Sequence, residues 1–233
     1  MKALAIIPAR GGSKRIPRKN IRAFAGRPII GYPIQAALQS RLFAEVMVST
    51  DDDEIASVAQ QCGAGVPFRR SSEASSDTAI IADVLAEVIS RYRAAGREFD
   101  FACCLLPTAP LITPADLSSA YNTLLDGGFD CVFPVCKFSY PIWRSLNLAN
   151  GRVKMNWPEN YRKRSQDLPA AYHDSGQFYW FRVDRFRETG SLFSENTGGI
   201  EMPESKVQDI DSEEDWRLCE MKYRLLNQEI ASE

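Results

Sequence analysis

The sequence contains a single histidine, His173, in 233 residues. Metal sites built from several histidines are therefore excluded, and any scheme with a histidine base depends on this one residue. The six cysteines form no CxxC pair, and four of them lie in apolar segments typical of strands. This pattern favours buried thiols in a reducing compartment over zinc sites or disulfides.

Long apolar runs are also missing from the chain. No stretch approaches the roughly 18 residues that cross a bilayer, and the apolar start before Pro8 is shorter than a signal-peptide core. The formal net charge of -2 and the pI of about 5.7 argue against a nucleic-acid-binding protein. We therefore expect a cytoplasmic protein that binds neither membranes nor nucleic acids.

One stretch of the chain departs strongly from this near-neutral balance. Between Arg10 and Arg22 there are six Lys and Arg residues and no Asp or Glu. Gly11 and Gly12 lie in the same stretch, and glycines let backbone N–H groups approach an anion and adopt positive φ. The stretch follows a strand predicted at 4–8, and α/β sheets bind ligands at that edge. We predict a phosphate-binding loop, with a solvated cationic loop as the alternative.

Two familiar phosphate-binding motifs are absent. The chain has no GxxxxGK motif followed by Ser or Thr, so it is not a P-loop protein. No third glycine completes a GxGxxG motif in the cationic loop, which argues against a dinucleotide-dependent oxidoreductase.

The apolar pattern predicts an α/β fold. Strands alternating with helices imply right-handed crossovers and a mostly parallel, twisted sheet with flanking helices. The regular alternation stops after Lys137, and residues 138–172 are interpreted as an excursion from one domain that spans 1–233. This excursion is a candidate for contact with a second subunit. Strands are predicted at 4–8, 46–49, 66–69, 101–106, 131–135 and 177–183, and helices at about 33–40, 75–92, 114–125 and 212–228. A further helix has the acids 51–54 in its first turn and ends near 62.

A pair of carboxylates near the C-terminus is the second candidate site. In an extended segment Asp209 and Asp211 point the same way with Cα atoms about 6.6 Å apart, so they can share one divalent ion or hold two. Carboxylate ligands favour Mg²⁺ over zinc. The alternative is a run of helix-starting acids, and we assign only 213–215 to that role. The acidic cluster at 51–54 is interpreted as helix capping.

Cations near one terminus and a metal-binding pair near the other suit nucleotidyl transfer. A triphosphate carries about four negative charges, and attack on its α-phosphorus adds charge to the leaving pyrophosphate. Arg10, Lys14 and Lys19 with Mg²⁺ would neutralise that charge. The alternative is a non-catalytic protein that binds a nucleotide or phosphosugar and has no need of the carboxylate pair.

The cationic loop resembles the opening motif of the CMP-sialic acid synthetases, the acylneuraminate cytidylyltransferase family. That motif reads roughly ARxxSKxxxxKN, and the matching residues here are Ala9, Arg10, Ser13, Lys14, Lys19 and Asn20. A second segment, Arg70 with Ser76, Asp77 and Thr78, is similar to the family's RxxExxSDT segment, where the nucleotide is also contacted.

The resemblance implies a nucleotide-diphospho-sugar transferase-like, Rossmann-like fold, CTP as the donor and a homodimer. It implies that Asp209 and Asp211 bind the metal and that Lys19, Arg10 and Lys14 carry catalysis. The nucleotide-binding residues are then Arg10, Gly11, Gly12, Ser13, Lys14, Lys19, Asn20, Arg70, Ser76 and Thr108.

The acceptor region departs from the sialic acid pattern. Where those synthetases typically read LQPTSPLR, this chain has LLPTAPLI, so Leu106 and Ile112 replace a glutamine and an arginine. Residues 164–179 look most like the branch that activates pseudaminic acid, a nonulosonic acid that decorates flagellin and surface glycans. N-acetylneuraminic acid and other keto-sugar acids are the alternatives. The implied substrate-binding residues are Arg164, His173, Asp174, Gln177 and Tyr179, with His173 as a sugar contact or as a base for the acceptor hydroxyl.

Overall fold

The computed structural model describes residues 1–13, 15–76 and 78–231. Within that part, no helix is both long and apolar enough to span a membrane. The strands are β1 (Ala3–Pro8), β2 (Ala23–Phe24), β3 (Arg27–Pro28), β4 (Glu45–Ser49), β5 (Phe101–Leu105), β6 (Cys131–Lys137), β7 (Leu146–Ala149), β8 (Arg152–Met155), β9 (Tyr172–Asp174), β10 (Phe178–Arg182) and β11 (Thr197–Glu201). The α-helices are α1 (Gly31–Ser40), α2 (Asp53–Gln61), α3 (Ser72–Ser75), α4 (Ile81–Ala94), α5 (Pro114–Asp126), α6 (Val183–Thr189) and α7 (Glu213–Ala231).

The main sheet confirms the predicted α/β class. Its strands lie in the order β11-β6-β10-β5-β1-β4, and β9 pairs with β6 outside this path. Strand β1 runs parallel to β4 and β5, and β11 runs parallel to β6. Strand β10 is antiparallel to both of its neighbours, β5 and β6, a reversal that the sequence pattern does not predict.

The sheet is buried on both faces because helices cover each of them. Alternate residues of β1 point in opposite directions, so Ile7 packs with Ile34 of α1 and Leu117 of α5. Ile6 packs on the other face with Leu85 of α4. Burial on both sides explains why β1 and β5 are almost continuously apolar instead of alternating with polar residues.

Two predicted elements are wrong: one strand does not form, and one helix starts later than predicted. Residues 66–69 form no strand; only Gly65 bridges to Met47, and Pro67 has no N–H with which to continue a ladder. The long helix does not open at 75–78. Instead, Ser71 caps the start of a short helix, α3, and the long helix α4 begins separately at Ile81. Asp77 lies outside the described residues.

The excursion at 138–172 contains a hairpin of its own. Strands β7 and β8 pair with each other in a separate two-stranded sheet. The chain returns to the main sheet when β9 pairs with the end of β6. Leu146, Leu148 and Val153 on the hairpin are exposed to solvent.

Candidate active site

An open cavity of about 540 Å³ lies at the carboxyl ends of β1 and β5. These parallel strands end at the same edge of the sheet, which brings together the cationic loop and the loop after β5. Lys14 lies outside the described residues, so its predicted role cannot be located here. The residues that line the cavity are Pro8, Arg10, Ser13, Arg15, Ile16, Lys19, Asn20, Leu106, Pro107 and Thr108.

The two glycines do not play the predicted conformational role. Neither Gly11 nor Gly12 adopts positive φ, and the left-handed residue in the described part of the loop is Arg18, with φ of 56°. Gly11 instead permits a close approach, because an added Cβ would lie 2.7 Å from Asp52 Oδ2. Its N–H donates to Asp51 Oδ1 at 3.1 Å. The start of the loop is therefore packed against the acidic N-terminus of α2.

Asp52 has two roles in the structure. Its side chain caps α2, with Oδ1 accepting the N–H of Ile55 at 2.9 Å, so the capping interpretation is confirmed for this residue. The same oxygen accepts a bond of 3.0 Å from Nη2 of Arg18, whose guanidinium also pairs with Glu54. The hydrogen bond from Arg18 lowers the pKa of Asp52 to about 2. One carboxylate thus fixes both the helix and the loop.

The cationic loop also contacts the carboxylate segment predicted near the C-terminus. Arg15 Nη2 lies 2.8 Å from Asp211 Oδ1, and Lys19 Nζ lies 3.7 Å from the same oxygen. Lys19 also donates to the carbonyl of Ile210 at 2.5 Å, although the two residues are 191 positions apart. Arg15 is not one of the motif residues, and its only sequence signal is its membership of the cationic cluster.

The two carboxylates lie in a setting that a divalent cation fits. Asp209 is partly buried, and this burial, together with the negative charge of Asp211, raises its pKa. Two carboxylates that disfavour each other's ionisation are stabilised by a shared cation. Among the described residues, no group of three or more His, Cys, Asp or Glu could hold a metal. A pair suits Mg²⁺, which is usually bound by one or two carboxylates, substrate phosphates and water.

Four predicted nucleotide-binding residues, Gly11, Gly12, Arg70 and Ser76, are not among the residues that line the cavity. Arg70 is buried and donates through Nε to Ser49 Oγ at 3.0 Å, and burial lowers the pKa of its guanidinium. Ser76 and Thr78 have hydroxyl oxygens 3.3 Å apart and line a separate cavity of about 410 Å³. The structure therefore does not bring Ser76 or Arg70 into contact with the 540 Å³ cavity.

The predicted acceptor residues also lie outside the lining of that cavity. Tyr179 is buried and donates its hydroxyl to Asp174 at 2.7 Å, which together with burial raises the pKa of the phenol. His173 lies on the exposed strand β9, and the centroid of its ring is 4.9 Å from that of Phe138. Arg164 is exposed and pairs with its near neighbour Asp167. These four side chains are thus engaged with their own neighbours rather than with the cationic loop.

Gln177 joins the acceptor region to the cavity. Its carbonyl accepts the N–H of Leu106 at 2.8 Å, and Leu106 lines the cavity. Its buried side chain donates to the carbonyl of Lys206 at 2.5 Å, a contact within the protein that the sequence did not predict. Of the two departures from the sialic acid pattern, Leu106 lines the cavity, whereas Ile112 is buried in the core.

Comparison with known proteins places these features in a family context. The family model described as cytidylyltransferase matches residues 4–201. The chain is 40% identical over 232 residues to pseudaminic acid cytidylyltransferase from Campylobacter jejuni subsp. jejuni serotype O:2, with 99% of this chain and 100% of that protein covered. It is 35% identical over 231 residues to CMP-N,N'-diacetyllegionaminic acid synthase from Legionella pneumophila, with 98% of this chain and 99% of that protein covered.

A solved structure shares the fold. CMP:2-keto-3-deoxy-manno-octonic acid synthetase complexed with CTP matches with a TM-score of 0.73 and covers 98% of this chain and 100% of its own. At 20% sequence identity this likeness concerns the fold alone.

We expect Asp52→Asn to separate the two roles of this carboxylate, because asparagine still caps a helix but cannot form an ion pair with Arg18. At neutral pH the variant should be less stable by roughly 1–2 kcal/mol. Folding lowers the pKa of Asp52 from 3.8 to about 2, so its charge stabilises fully above pH ~4 and progressively less as the pH falls toward 2. Urea unfolding of both proteins at pH 7 and at about pH 3 measures this difference.

Asp52→Ala serves as the matched variant because it removes the cap as well. It should be about 1 kcal/mol less stable than Asp52→Asn at pH 7. A gap between the wild type and Asp52→Asn that keeps its full size down to about pH 3 would contradict the ion-pair assignment.

Proposed function

The chain belongs to the cytidylyltransferase family, and on this basis we propose that it transfers CMP from CTP to pseudaminic acid, a nonulosonic acid, and releases pyrophosphate. The observation that carries the proposal is the meeting of the cationic loop with the segment of Asp209 and Asp211 beside one cavity. The CMP-sugar product is the class of donor that a glycosyltransferase consumes to decorate flagellin or a surface glycan.

The cavity residues fit the charge changes of this reaction. The hydroxyl oxygen of the acceptor attacks the α-phosphorus of CTP, the hydroxyl proton passes to water, and the bond from that phosphorus to pyrophosphate breaks. Arg10, Arg15 and Lys19 bind phosphate oxygens and stabilise the negative charge that develops on the leaving group. Ser13 and Asn20 supply neutral hydrogen-bonding groups at the same cavity. The motif supports adding Lys14 and the N–H groups of Gly11 and Gly12 to this set, with the N–H of Gly11 exchanging Asp51 Oδ1 for a phosphate oxygen.

Arg15 adds a link between nucleotide and metal. Its ion pair with Asp211 joins side chains that are 71% and 43% exposed, and such a pair contributes little free energy. Incoming phosphate oxygens therefore compete effectively for Arg15 and leave Asp211 available as a metal ligand. Nucleotide binding and metal binding are expected to favour each other.

Cytidylyltransferases generally use a divalent metal ion, and we propose Mg²⁺ held by Asp209 and Asp211. When bound there, the ion would neutralise charge on the phosphates. The oxygen-only character of the pair favours Mg²⁺ over zinc.

The acceptor is proposed to bind beside Leu106, at the turn that leads into β10. Ser175 Oγ and Gln177 Oε1 in this turn are buried without a hydrogen-bond partner among the described atoms. Buried polar atoms are nearly always hydrogen-bonded. The two unbonded oxygens therefore support a sugar site here, because hydroxyl groups of the acceptor could bond to them. His173 lies on the adjacent strand, away from the cavity lining, which favours a sugar contact over a base. Asp174, Tyr179 and Arg164 complete the proposed acceptor set.

We propose that one domain carries the reaction and that two copies associate through the excursion at 138–172. Leu148 and Val153 are 71% and 60% exposed, unusual for apolar side chains clustered on one short hairpin. The protein is proposed to work in the cytoplasm, because all six cysteines are free thiols, as a reducing compartment maintains them.

Asp209→Asn and Asp211→Asn should each fold and lose activity by on the order of a hundredfold or more, because a bound metal contributes several kcal/mol of charge stabilisation. The measurement is pyrophosphate release with CTP and pseudaminic acid, with and without Mg²⁺. Glu214→Gln is the control, since Glu214 lies three residues beyond Asp211 in the first turn of α7. Undiminished turnover in excess chelator would rule out the metal assignment, and absence of any turnover would favour the non-catalytic alternative.

The acceptor assignment predicts about a hundredfold preference for pseudaminic over N-acetylneuraminic acid in kcat/KM. Leu106 presents an apolar wall, and each sugar hydroxyl left unpaired against it costs roughly 1–3 kcal/mol, so two give this ratio. Pyrophosphate release is measured for pseudaminic, N,N'-diacetyllegionaminic, N-acetylneuraminic and 3-deoxy-octulosonic acids. Leu106→Gln should narrow the preference. Equal or better turnover of N-acetylneuraminic acid by the wild type would overturn the pseudaminic assignment and leave cytidylyl transfer standing.

Leu148→Asp should convert the proposed dimer to a monomer, because a charge buried in an apolar interface loses its hydration without a partner. Sedimentation velocity at micromolar concentration measures the change. Met221→Asp is the matched variant, since Met221 is 65% exposed on α7 and offers the competing apolar surface. A wild-type monomer, or dissociation by Met221→Asp alone, would contradict the hairpin interface.

A further inference from the structure

The segment that carries Asp209 and Asp211 is not held by a β-ladder. It follows a 3-10 helix at Glu204–Lys206, and residues 207–211 belong to no strand of the described sheets. The pattern of strand hydrogen bonds that fixes β1 and β5 is therefore missing here. The position of the two carboxylates depends instead on the burial of Val207 and Ile210, on the bond from the N–H of Asp211 to Asp215, and on side chains that bind carbonyl groups of this segment.

Lys222 of α7 provides two of these bonds. Its Nζ donates to the carbonyl of Val207 at 2.7 Å and to the carbonyl of Glu204 at 2.9 Å. Among the ion pairs of the described residues none involves Lys222, so its charge is directed at the main chain. Charge-assisted hydrogen bonds of this kind are stronger than neutral ones. The ammonium group thus anchors the chain two residues before Asp209.

The same segment is held from its other side. Gln177 at the entry to β10 donates to the carbonyl of Lys206, the residue before Val207. Further along, Lys19 donates to the carbonyl of Ile210. Lys19 belongs to the substrate cavity and has phosphate to bind in the proposed reaction, whereas Lys222 is not among the residues that line that cavity. Lys222 therefore stays bonded to this segment when nucleotide occupies the cavity, as do Gln177 at Lys206 and Asp215 at the N–H of Asp211.

We propose that Lys222 is a positioning residue for the metal-binding carboxylates, acting through the main chain at Val207. This inference rests on the proposed role of Asp209 and Asp211. Metal ligands must be held within about 0.5 Å of a productive geometry, and supporting contacts outside the ligand set typically change metal affinity by about 10–100-fold. Without the bonds from Lys222, the carbonyl groups of Val207 and Glu204 lose their charged donor, so the main chain that leads to Asp209 is held less tightly.

The test measures metal binding directly, without turnover. Mn²⁺ in place of Mg²⁺ is titrated into the protein with saturating CTP and no acceptor, and free Mn²⁺ is followed by electron paramagnetic resonance. We expect the Mn²⁺ Kd of Lys222→Met to rise about tenfold, because methionine keeps the aliphatic packing and loses both hydrogen bonds. CTP affinity in excess chelator should stay within about twofold of wild type.

Control variants distinguish positioning from a general effect of charge or folding. Arg224→Met removes a cation from the same helix, where Arg224 is exposed and pairs with Glu220, and should leave the Mn²⁺ Kd unchanged. Lys222→Arg, which keeps a cationic donor, should restore most of the affinity. Lys222→Gln serves as the second variant should Lys222→Met fold poorly, and an intermediate rise in Kd is expected. Thermal melts confirm folding before each titration.

The possible results separate this inference from the proposed function. If Asp211→Asn abolishes Mn²⁺ binding while Lys222→Met and Lys222→Gln bind as tightly as wild type, the positioning role is overturned and the metal site stands. If wild type with CTP binds no Mn²⁺ beyond what CTP binds alone, the metal site of the proposed function fails. A rise in Kd shared equally by Arg224→Met would also overturn the inference, because it would show an unspecific effect of charge.

Discussion

The compensation of positive charge in the loop after β1 is the constraint on which the rest of the structure depends. Like charges this close destabilise a folded chain unless carboxylates lie beside them. Arg18 pairs with Asp52 and Glu54 of α2, and Arg22 pairs with Glu213 at the start of α7. The carboxylates therefore come from elements on two sides of the loop. These carboxylates fix the position of the loop, so that its other cations face the cavity, where a polyanion can bind them.

This compensation explains why acidic residues in the site have double roles. Asp52 caps a helix and anchors Arg18, so the helix dipole and the loop are stabilised by the same charge. At the other side, Asp215 accepts the N–H of Asp211 and also bonds the hydroxyl of Ser212. The start of α7 is thereby tied to the carboxylate segment. The same hydrogen bonds and ion pairs of Asp52 and Asp215 therefore cap the helices and assemble the site.

The parts of the site that the sequence predicted are those with a local signature. A cationic loop after a buried strand and two carboxylates two residues apart are visible in short windows; the loop lines the cavity, and Asp211 contacts the loop through Arg15. Pairing across 191 positions has no local signature, so the contact of Lys19 with Ile210 could not be read from either segment. The positive φ was assigned to the glycines, whereas tertiary pairing with α2 places it at Arg18. Tertiary contacts outweighed backbone preference there.

The direction of β10 was equally hidden, because an apolar strand buried on both faces looks the same in either direction. The antiparallel direction of β10 nevertheless determines which loops lie next to each other at the site. Since Phe178 at the start of β10 pairs with Leu105 at the end of β5, the turn before β10 lies beside the loop after β5. A parallel β10 would have placed that turn at the opposite edge of the sheet. Only the observed direction lets Gln177 contact both Leu106 and the segment leading to Asp209, so the proposed acceptor and metal regions share one edge because of this reversal.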